Sequence, residues 1–119
     1  MLLYRPVGQQ ELDLIEKLGY CAFPPRLPEQ PIFYPVLNEE YATEIATQWN
    51  LRDPASGFIG YVLQFNVADE YIQKFDVQTV GAAHHQEYWI PAEALEEFNQ
   101  HIIGHIKIVK TINQEEPSQ

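Results

Sequence analysis

The sequence predicts a single α+β domain, with a mixed or mostly antiparallel sheet and three to four helices. The chain has 119 residues, a usual length for one domain, and 45% of them are hydrophobic, which is enough for a buried core. Helical and strand-like periodicities follow one another without the strict alternation of a parallel α/β fold. No internal repeat is visible. We therefore place one domain at residues 1–112 and expect the polar segment 113–119 to be a frayed tail.

The chain opens with a short strand at residues 2–7. Pro6 has no N–H to donate, so this strand is expected to lie at a sheet edge or to end there. Residues 9–18 carry apolar side chains at helical spacing, and Gly19 stands where a C-terminal cap is expected. A one-sided surface helix is therefore predicted after the first strand.

A proline-rich segment, residues 23–35, follows this helix. It holds five of the nine prolines, so neither a helix nor a central strand fits it. It is also rich in large apolar side chains, among them Phe23 and Phe33, which disordered linkers lack. We expect an ordered, extended loop that lies over the core, with a short strand at residues 32–34.

The best-marked elements lie in the middle of the chain. Asn38 offers an N-cap for a helix over residues 39–49, which has acidic side chains at its positive end. Residues 58–67 are β-branched and aromatic with alternating faces, which predicts a central strand. Asp69 can cap a short helix that ends near Phe75.

The last third of the chain contains further strands and one helix. Residues 77–80 and 87–90 are strand candidates on either side of a turn. Residues 91–101 predict a helix that starts with a proline in its first turn and is closed by Gly104. The alternating residues 106–112 predict a final strand.

Composition excludes several classes of protein. The formal net charge of −10 disfavours nucleic acid and an anionic membrane as partners. Cys21 is the only cysteine, so no internal disulfide can form, and we expect it to be a small buried apolar group and not a nucleophile. No apolar run approaches a membrane span, no secretory leader is visible, and no glycine-rich phosphate loop is present. A cytoplasmic protein is predicted.

The histidines raise the question of a metal. All four lie in the last third of the chain, at His84, His85, His101 and His105, with Glu87 among them. Imidazole and carboxylate groups can bind zinc or iron, which would suit a metal-dependent hydrolase. The spacing matches no known ligand pattern, however, and Gly104 interrupts the closest helical pair. We therefore expect no bound metal.

Three charged residues are candidates for a binding site. Arg5 and Arg26 are notable because cations are scarce, and a guanidinium can bind a phosphate or a carboxylate, including one of the chain's seventeen acids. Glu87 opens a strand of large apolar residues, a common place for a catalytic carboxylate and also an ordinary one for a strand-terminal charge.

Five segments carry a resemblance to a known family. They are LYRPVG (3–8), FPPR (23–26), FYPVLNEEYA (33–42), EYWIPAE (87–93) and FNQHIIG (98–104). Over residues 3–112 the chain resembles a family of small bacterial proteins, some of which carry a label related to ADP-ribosylation.

The order of these features also resembles a minimal ADP-ribosyltransferase-like domain. The resemblance implies that Arg5 and Tyr34 bind NAD, with Arg5 neutralising the pyrophosphate. It implies that Glu87 is catalytic, hydrogen-bonding the nicotinamide ribose and stabilising an oxocarbenium-like transition state. The chain departs from the pattern in two ways, since it lacks a Ser-Thr-Ser run and has His85 where many transferases have Glu or Gln.

Three functions stay open at this point. The first is an NAD-binding, ADP-ribosyltransferase-like domain, either active or catalytically degenerate. The second is a small acidic module that binds a protein partner through the proline-rich aromatic loop. The third is the metal-dependent hydrolase. The first requires Arg5, Tyr34 and Glu87 to meet in one cleft.

Overall fold

An antiparallel sheet runs through the middle of the domain. The computed structural model describes residues 1–113, in which the strands are β1 (Leu2–Val7), β2 (Ile32–Phe33), β3 (Ile59–Val67), β4 (Val77–Thr79), β5 (Gln86–Tyr88), β6 (Ile90–Pro91) and β7 (Ile102–Asn113). The helices of that range are α1 (Gln9–Lys17), α2 (Glu39–Gln48), α3 (Asp69–Ile72) and α4 (Leu95–Gln100). Single turns of 3₁₀ helix lie at Asn50–Arg52, Pro54–Ser56 and Ala92–Ala94. The predicted α+β fold is confirmed.

β3 is the central strand, as its alternating apolar pattern predicts. It pairs antiparallel with β1 on one side and with β7 on the other. Beyond β1, single bridges from Val36 to Tyr4 and to Glu87 connect the antiparallel pair β4–β5 to the sheet. β2 and β6 form a separate two-stranded pair. The prediction of β1 as an edge strand of its sheet therefore holds, and Val36 alone extends that edge.

The central strand β3 is buried on both faces, whereas β7 is largely exposed. On one face, Leu3, Leu63 and Phe65 belong to a large aromatic and aliphatic core. On the other, Val62 packs against α2 in a second, smaller cluster. A Cβ added at Gly60 would lie 3.0 Å from the Ala46 Cβ, so the close approach of α2 to β3 depends on glycine at that position.

The proline-rich segment 23–35 is an extended loop anchored on the core at its two ends, as expected, while most of the residues between them are exposed. Phe23 and Phe33 are 1% and 0% exposed. Their ring centroids are 4.9 Å apart, and Phe23 also meets Phe65 at 4.8 Å. The Asn99 side chain accepts a hydrogen bond from the Phe23 N–H at 2.9 Å and donates one to its carbonyl at 3.0 Å. These contacts hold both ends of the segment on the hydrophobic core.

Limited proteolysis tests this packing. Trypsin is expected to cleave the native protein slowly after Arg26, whose side chain is half-buried, and sooner after the exposed Lys17. Phe33→Ala removes a fully buried ring and is expected to raise the rate of cleavage after Arg26. Fragment masses over time measure both rates. Cleavage after Arg26 as the first event in the wild-type protein would contradict the packed loop.

Several predicted boundaries are wrong. The helix predicted over residues 91–101 ends as expected near His101, but it begins with a 3₁₀ turn and α4 starts only at Leu95. Gly104 does not close it and lies inside β7, where a positive φ of 76° accompanies a register irregularity opposite β3. Asp69 is the first residue of α3 and not its cap, and its carboxylate binds the N-terminal amine at 2.7 Å. The strand predicted at residues 87–90 is divided between β5 and β6 at the exposed Trp89.

Two further expectations concern Cys21 and the tail. Cys21 is exposed and not buried, because positive φ angles at Gly19 and Tyr20 turn the chain after α1, so that Tyr20 packs on the core. Asn113 belongs to β7, opposite Ile59, and not to a frayed tail; the rest of that predicted tail, residues 114–119, lies outside the described residues. None of the described helices has the length and apolar character needed to cross a membrane.

Candidate functional site

A cavity of about 740 Å³ lies along the outer edge of β1. Its lining comes from β1, α1, the proline-rich segment, α2, β5 and the residues that follow α2. The residues of interest on its wall are Arg5, Glu11, Tyr34, Val36, Tyr41, Trp49, Glu87 and Trp89.

The cavity begins where the pairing of β1 with Val36 ends. Both backbone groups of Tyr4 are bonded to Val36, with N···O distances of 2.9 and 2.8 Å. Alternate residues of a strand direct their backbone groups to the same side, so Pro6 is the next residue to face this edge. Proline has no N–H, so the ladder cannot continue. The free edge of β1 leaves room for the cavity between α1 and α2.

Arg5 enters the cavity from the same face of β1 as Leu3 and Val7. Its side chain is buried, and its Nε and terminal nitrogen donate to the two carboxylate oxygens of Glu11 at 2.7 and 2.9 Å. The guanidinium also lies 4.6 Å from the centroid of the Phe33 ring. Of the two roles left open for Arg5, pairing with an acid of the chain is therefore observed.

Arg26 adds a second guanidinium beside the same ring. Its Cζ lies 5.8 Å from the Phe33 centroid, and its Nε is buried with no hydrogen-bond partner in the part of the chain that the structure describes. Burial and the nearby Arg5 lower the pKa of Arg26 from its usual value. Two guanidinium groups therefore lie near one carboxylate, that of Glu11, and make the surroundings of Glu11 locally positive in a protein with a net charge of −10.

Glu87 lies in the middle of β5 and is only 8% exposed. One carboxylate oxygen accepts a hydrogen bond from the Tyr41 hydroxyl at 2.8 Å, and the other accepts one from the Trp89 indole N–H at 2.6 Å. Burial, followed by the hydrogen bond to Glu87, raises the pKa of Tyr41 to about 12. Tyr41 is thus a hydroxyl donor at neutral pH, and the two donors fix the orientation of the carboxylate.

Asn38 positions the groups around Glu87. Its side-chain oxygen accepts from the Tyr41 N–H at 2.7 Å, which caps α2 as the sequence predicts. Its amide nitrogen donates to the His84 carbonyl at 2.7 Å. Asn38 therefore ties the start of α2 to the turn that leads into β5, and so holds Tyr41 close to Glu87.

Tyr34, the third residue implied by the resemblance, is 41% exposed on the cavity wall. The cavity therefore brings together Arg5, Tyr34 and Glu87. Arg5 reaches it from the face of the large core, whereas Glu87 reaches it from the face covered by α2, and the free edge of β1 lies between them. All three residues therefore line the cavity, and the roles that the resemblance implies for them stay predictions.

The four histidines do not form one group. His84 Nε2 lies 2.7 Å from Glu44 Oε2, and His85 Nε2 lies 2.8 Å from Glu44 Oε1. His101 stacks on Tyr71 with ring centroids 4.1 Å apart, and His105 is exposed on β7. The sequence does not indicate Glu44 as a partner of the histidines, because it lies forty residues before His84 and in a different element, α2.

The hydrogen bonds between Glu44 and the two imidazoles shift the pKa values of Glu44 and His84 in opposite directions. Hydrogen bonds from both imidazoles lower the pKa of Glu44, and the hydrogen bond to Glu44 raises the pKa of His84. The His85 ring also stacks on Tyr41 at a centroid distance of 4.4 Å. The group therefore contacts the residue that donates to Glu87.

Comparison with known proteins finds no counterpart. No protein-family model, no curated protein and no solved structure matches the chain.

Proposed function

We propose that the chain is an NAD-binding domain of the ADP-ribosyltransferase-like class, with the cavity beside β1 as its binding site and Glu87 as its catalytic carboxylate. The observation that carries the proposal is that one cavity is lined by Arg5, Tyr34 and Glu87, three residues far apart in the sequence. The resemblance assigns these same residues to a single dinucleotide.

The size of the cavity suits such a ligand. Cofactor sites are clefts of about 300–1,000 Å³ with a mainly apolar lining and a few polar groups. This cavity has a volume of about 740 Å³, and the exposed rings of Tyr34 and Trp89 stand at its wall, where an aromatic base can stack. An elongated, partly aromatic ligand therefore fits it.

The phosphate-binding end is assigned to the two arginines. Arg5 lines the cavity. Arg26 is not among the lining residues, but it lies against the same Phe33 ring as Arg5, and its Nε is buried and unpartnered among the described residues. A guanidinium can donate two parallel hydrogen bonds to a phosphate. The two guanidinium groups carry two positive charges, and Glu11 compensates only one of them. One positive charge therefore remains for a pyrophosphate that binds beside Arg5.

The reacting end is assigned to Glu87. NAD supplies a glycosidic bond to nicotinamide whose cleavage places positive charge on the ribose. A preoriented carboxylate stabilises developing positive charge, and it does so best where water is excluded. Glu87 is buried and oriented by Tyr41 and Trp89, and each of its oxygens keeps a lone pair for a ribose hydroxyl.

The observations favour this function over the protein-binding module. The phenylalanines of the proline-rich segment that would serve as anchors, Phe23 and Phe33, are inside the core. We also propose a cytoplasmic location, which the free, exposed thiol of Cys21 supports.

Thermal unfolding in the presence of NAD tests the proposal. A ligand at ten times its Kd adds about 1.4 kcal/mol to the stability of the folded state, which raises the Tm of a domain this size by roughly 5 °C. We expect such a shift with millimolar NAD and with ADP-ribose. Sodium chloride at matched ionic strength is the control, because a strongly acidic protein also gains stability from salt. An NAD shift no larger than that of the salt would overturn the proposal.

A further inference from the structure

We infer that Glu44, His84 and His85 form a binding site for a divalent transition metal of the zinc type. One carboxylate oxygen or imidazole nitrogen from each residue lies within 4.8 Å of the other two. The two Nε2 atoms lie 2.7 and 2.8 Å from different oxygens of the Glu44 carboxylate, so both rings are directed at the same carboxylate. This inference does not depend on the proposed NAD site.

The donor set is the one that zinc prefers. Two neutral imidazoles and one carboxylate are a recurrent three-ligand set that leaves a fourth position open. With bonds of about 2.0–2.1 Å, donor atoms on a tetrahedral zinc lie about 3.3 Å apart. The two imidazole–carboxylate pairs, at 2.7 and 2.8 Å, have to open by about 0.5 Å to admit the ion, and the two imidazole nitrogens already lie within 4.8 Å of each other.

The backbone holds the two histidines in place. The His84 carbonyl accepts from the Asn38 side chain at 2.7 Å, and the His85 carbonyl accepts from the Val80 N–H at 2.9 Å. The His85 ring is stacked on Tyr41. A site whose ligands are already oriented loses little conformational entropy on binding, which favours the ion.

A cation can also reach the site. The three side chains are 26–39% exposed. Glu44 lines a second, open cavity of about 490 Å³ together with Glu39 and Glu40, while Lys110 in the same cavity pairs with Glu39 at 3.6 Å. The local charge is therefore negative. The sequence spacing of the histidines predicts no metal because it cannot include Glu44, which belongs to another element.

Calorimetric titration with Zn²⁺ tests the site. The protein carries no affinity tag, because a tag can bind Zn²⁺ itself. Bound metal is first removed with a chelator, and the chelator is removed before the titration. We expect one Zn²⁺ per chain, and His84→Ala and Glu44→Gln are each expected to weaken binding by about 100-fold or more. His105→Ala, which removes an exposed histidine outside the group, is the matched control and is expected to bind as the wild type does.

Co²⁺ gives an independent readout of the ligands. Its visible absorption reports coordination geometry, and we expect a four-coordinate spectrum in the wild type and in His105→Ala that His84→Ala loses. Far-UV circular dichroism of the metal-free variants establishes that they are folded. The inference is overturned if the wild-type protein binds no stoichiometric Zn²⁺, or if folded His84→Ala and Glu44→Gln bind it as tightly as the wild type.

Discussion

Glu87→Gln is expected to lower the hydrolysis of NAD by about 10²–10³-fold while leaving NAD binding largely intact. In the proposed reaction, the substitution removes the negative charge that would stabilise the developing oxocarbenium ion, and it keeps the shape of the side chain. In the proposed site, binding of the ground state depends on the arginines and the aromatic wall, so the loss should fall on the chemical step. Release of nicotinamide at saturating NAD measures turnover, and the NAD-induced shift in Tm measures binding.

The surroundings of Glu87 can accept this change. The Trp89 indole can only donate, so the amide oxygen of the glutamine must face it. The amide nitrogen then faces Tyr41, whose hydroxyl can rotate from donor to acceptor. Both partners remain satisfied, so the free energy of unfolding should change by less than about 1 kcal/mol.

Glu97→Gln is the matched control. Glu97 also accepts a hydrogen bond from a largely buried tyrosine, Tyr71, at 3.2 Å, and burial raises the pKa of Tyr71 to about 12 as it does for Tyr41. Glu97 is not among the residues that line the cavity, so turnover should be unchanged. A folded Glu87→Gln protein with wild-type turnover would remove Glu87 from catalysis. A wild-type protein that binds NAD without turnover would make the chain a degenerate member of the class.

The sequence pattern predicts the parts of the fold that depend on local physics. Pro6 predicts that β1 is an edge strand, because proline lacks a backbone N–H whatever the strand's neighbours are. Asn38 marks the start of α2 because capping needs only the next three residues. The alternation of residues 58–67 predicts β3, although the same alternation cannot say that α2 covers the second face. Gly104 shows the limit, because a glycine with positive φ suits a helix end and a strand bulge equally well.

The partners of the site residues could not be predicted in this way. Tyr41 and Glu87 are 46 positions apart, and Glu44 and His85 are 41 apart. No periodicity relates such positions, because their contacts follow from the way Val36 bridges β1 and β5. Even the pair of Arg5 with Glu11, six positions apart, depends on the angle at which α1 leaves β1.

Arg5→Ala is expected to weaken NAD binding by about 10- to 100-fold, since a hydrogen bond to a charged group contributes about 1.5–3 kcal/mol. ADP-ribose should lose as much, because it carries the same pyrophosphate. Nicotinamide riboside, which has none, should be unaffected. Equilibrium binding of the three ligands measures this. The variant should also lower the Tm, because it removes the bidentate partner of the partly buried Glu11 carboxylate and the nearer of the two cations beside the Phe33 ring.

Glu11→Gln separates the binding role of Arg5 from its structural role. The amide keeps one hydrogen bond to the guanidinium and removes the charge that competes with a phosphate. If Arg5 binds pyrophosphate, Glu11→Gln should strengthen the binding of NAD and ADP-ribose, even though it weakens the same ion pair that Arg5→Ala destroys. If Arg5 only supports the fold, neither substitution should change the NAD affinity of the folded protein. A loss of affinity in Arg5→Ala together with a gain in Glu11→Gln would therefore assign the pyrophosphate to Arg5, and wild-type affinity in folded Arg5→Ala would exclude it.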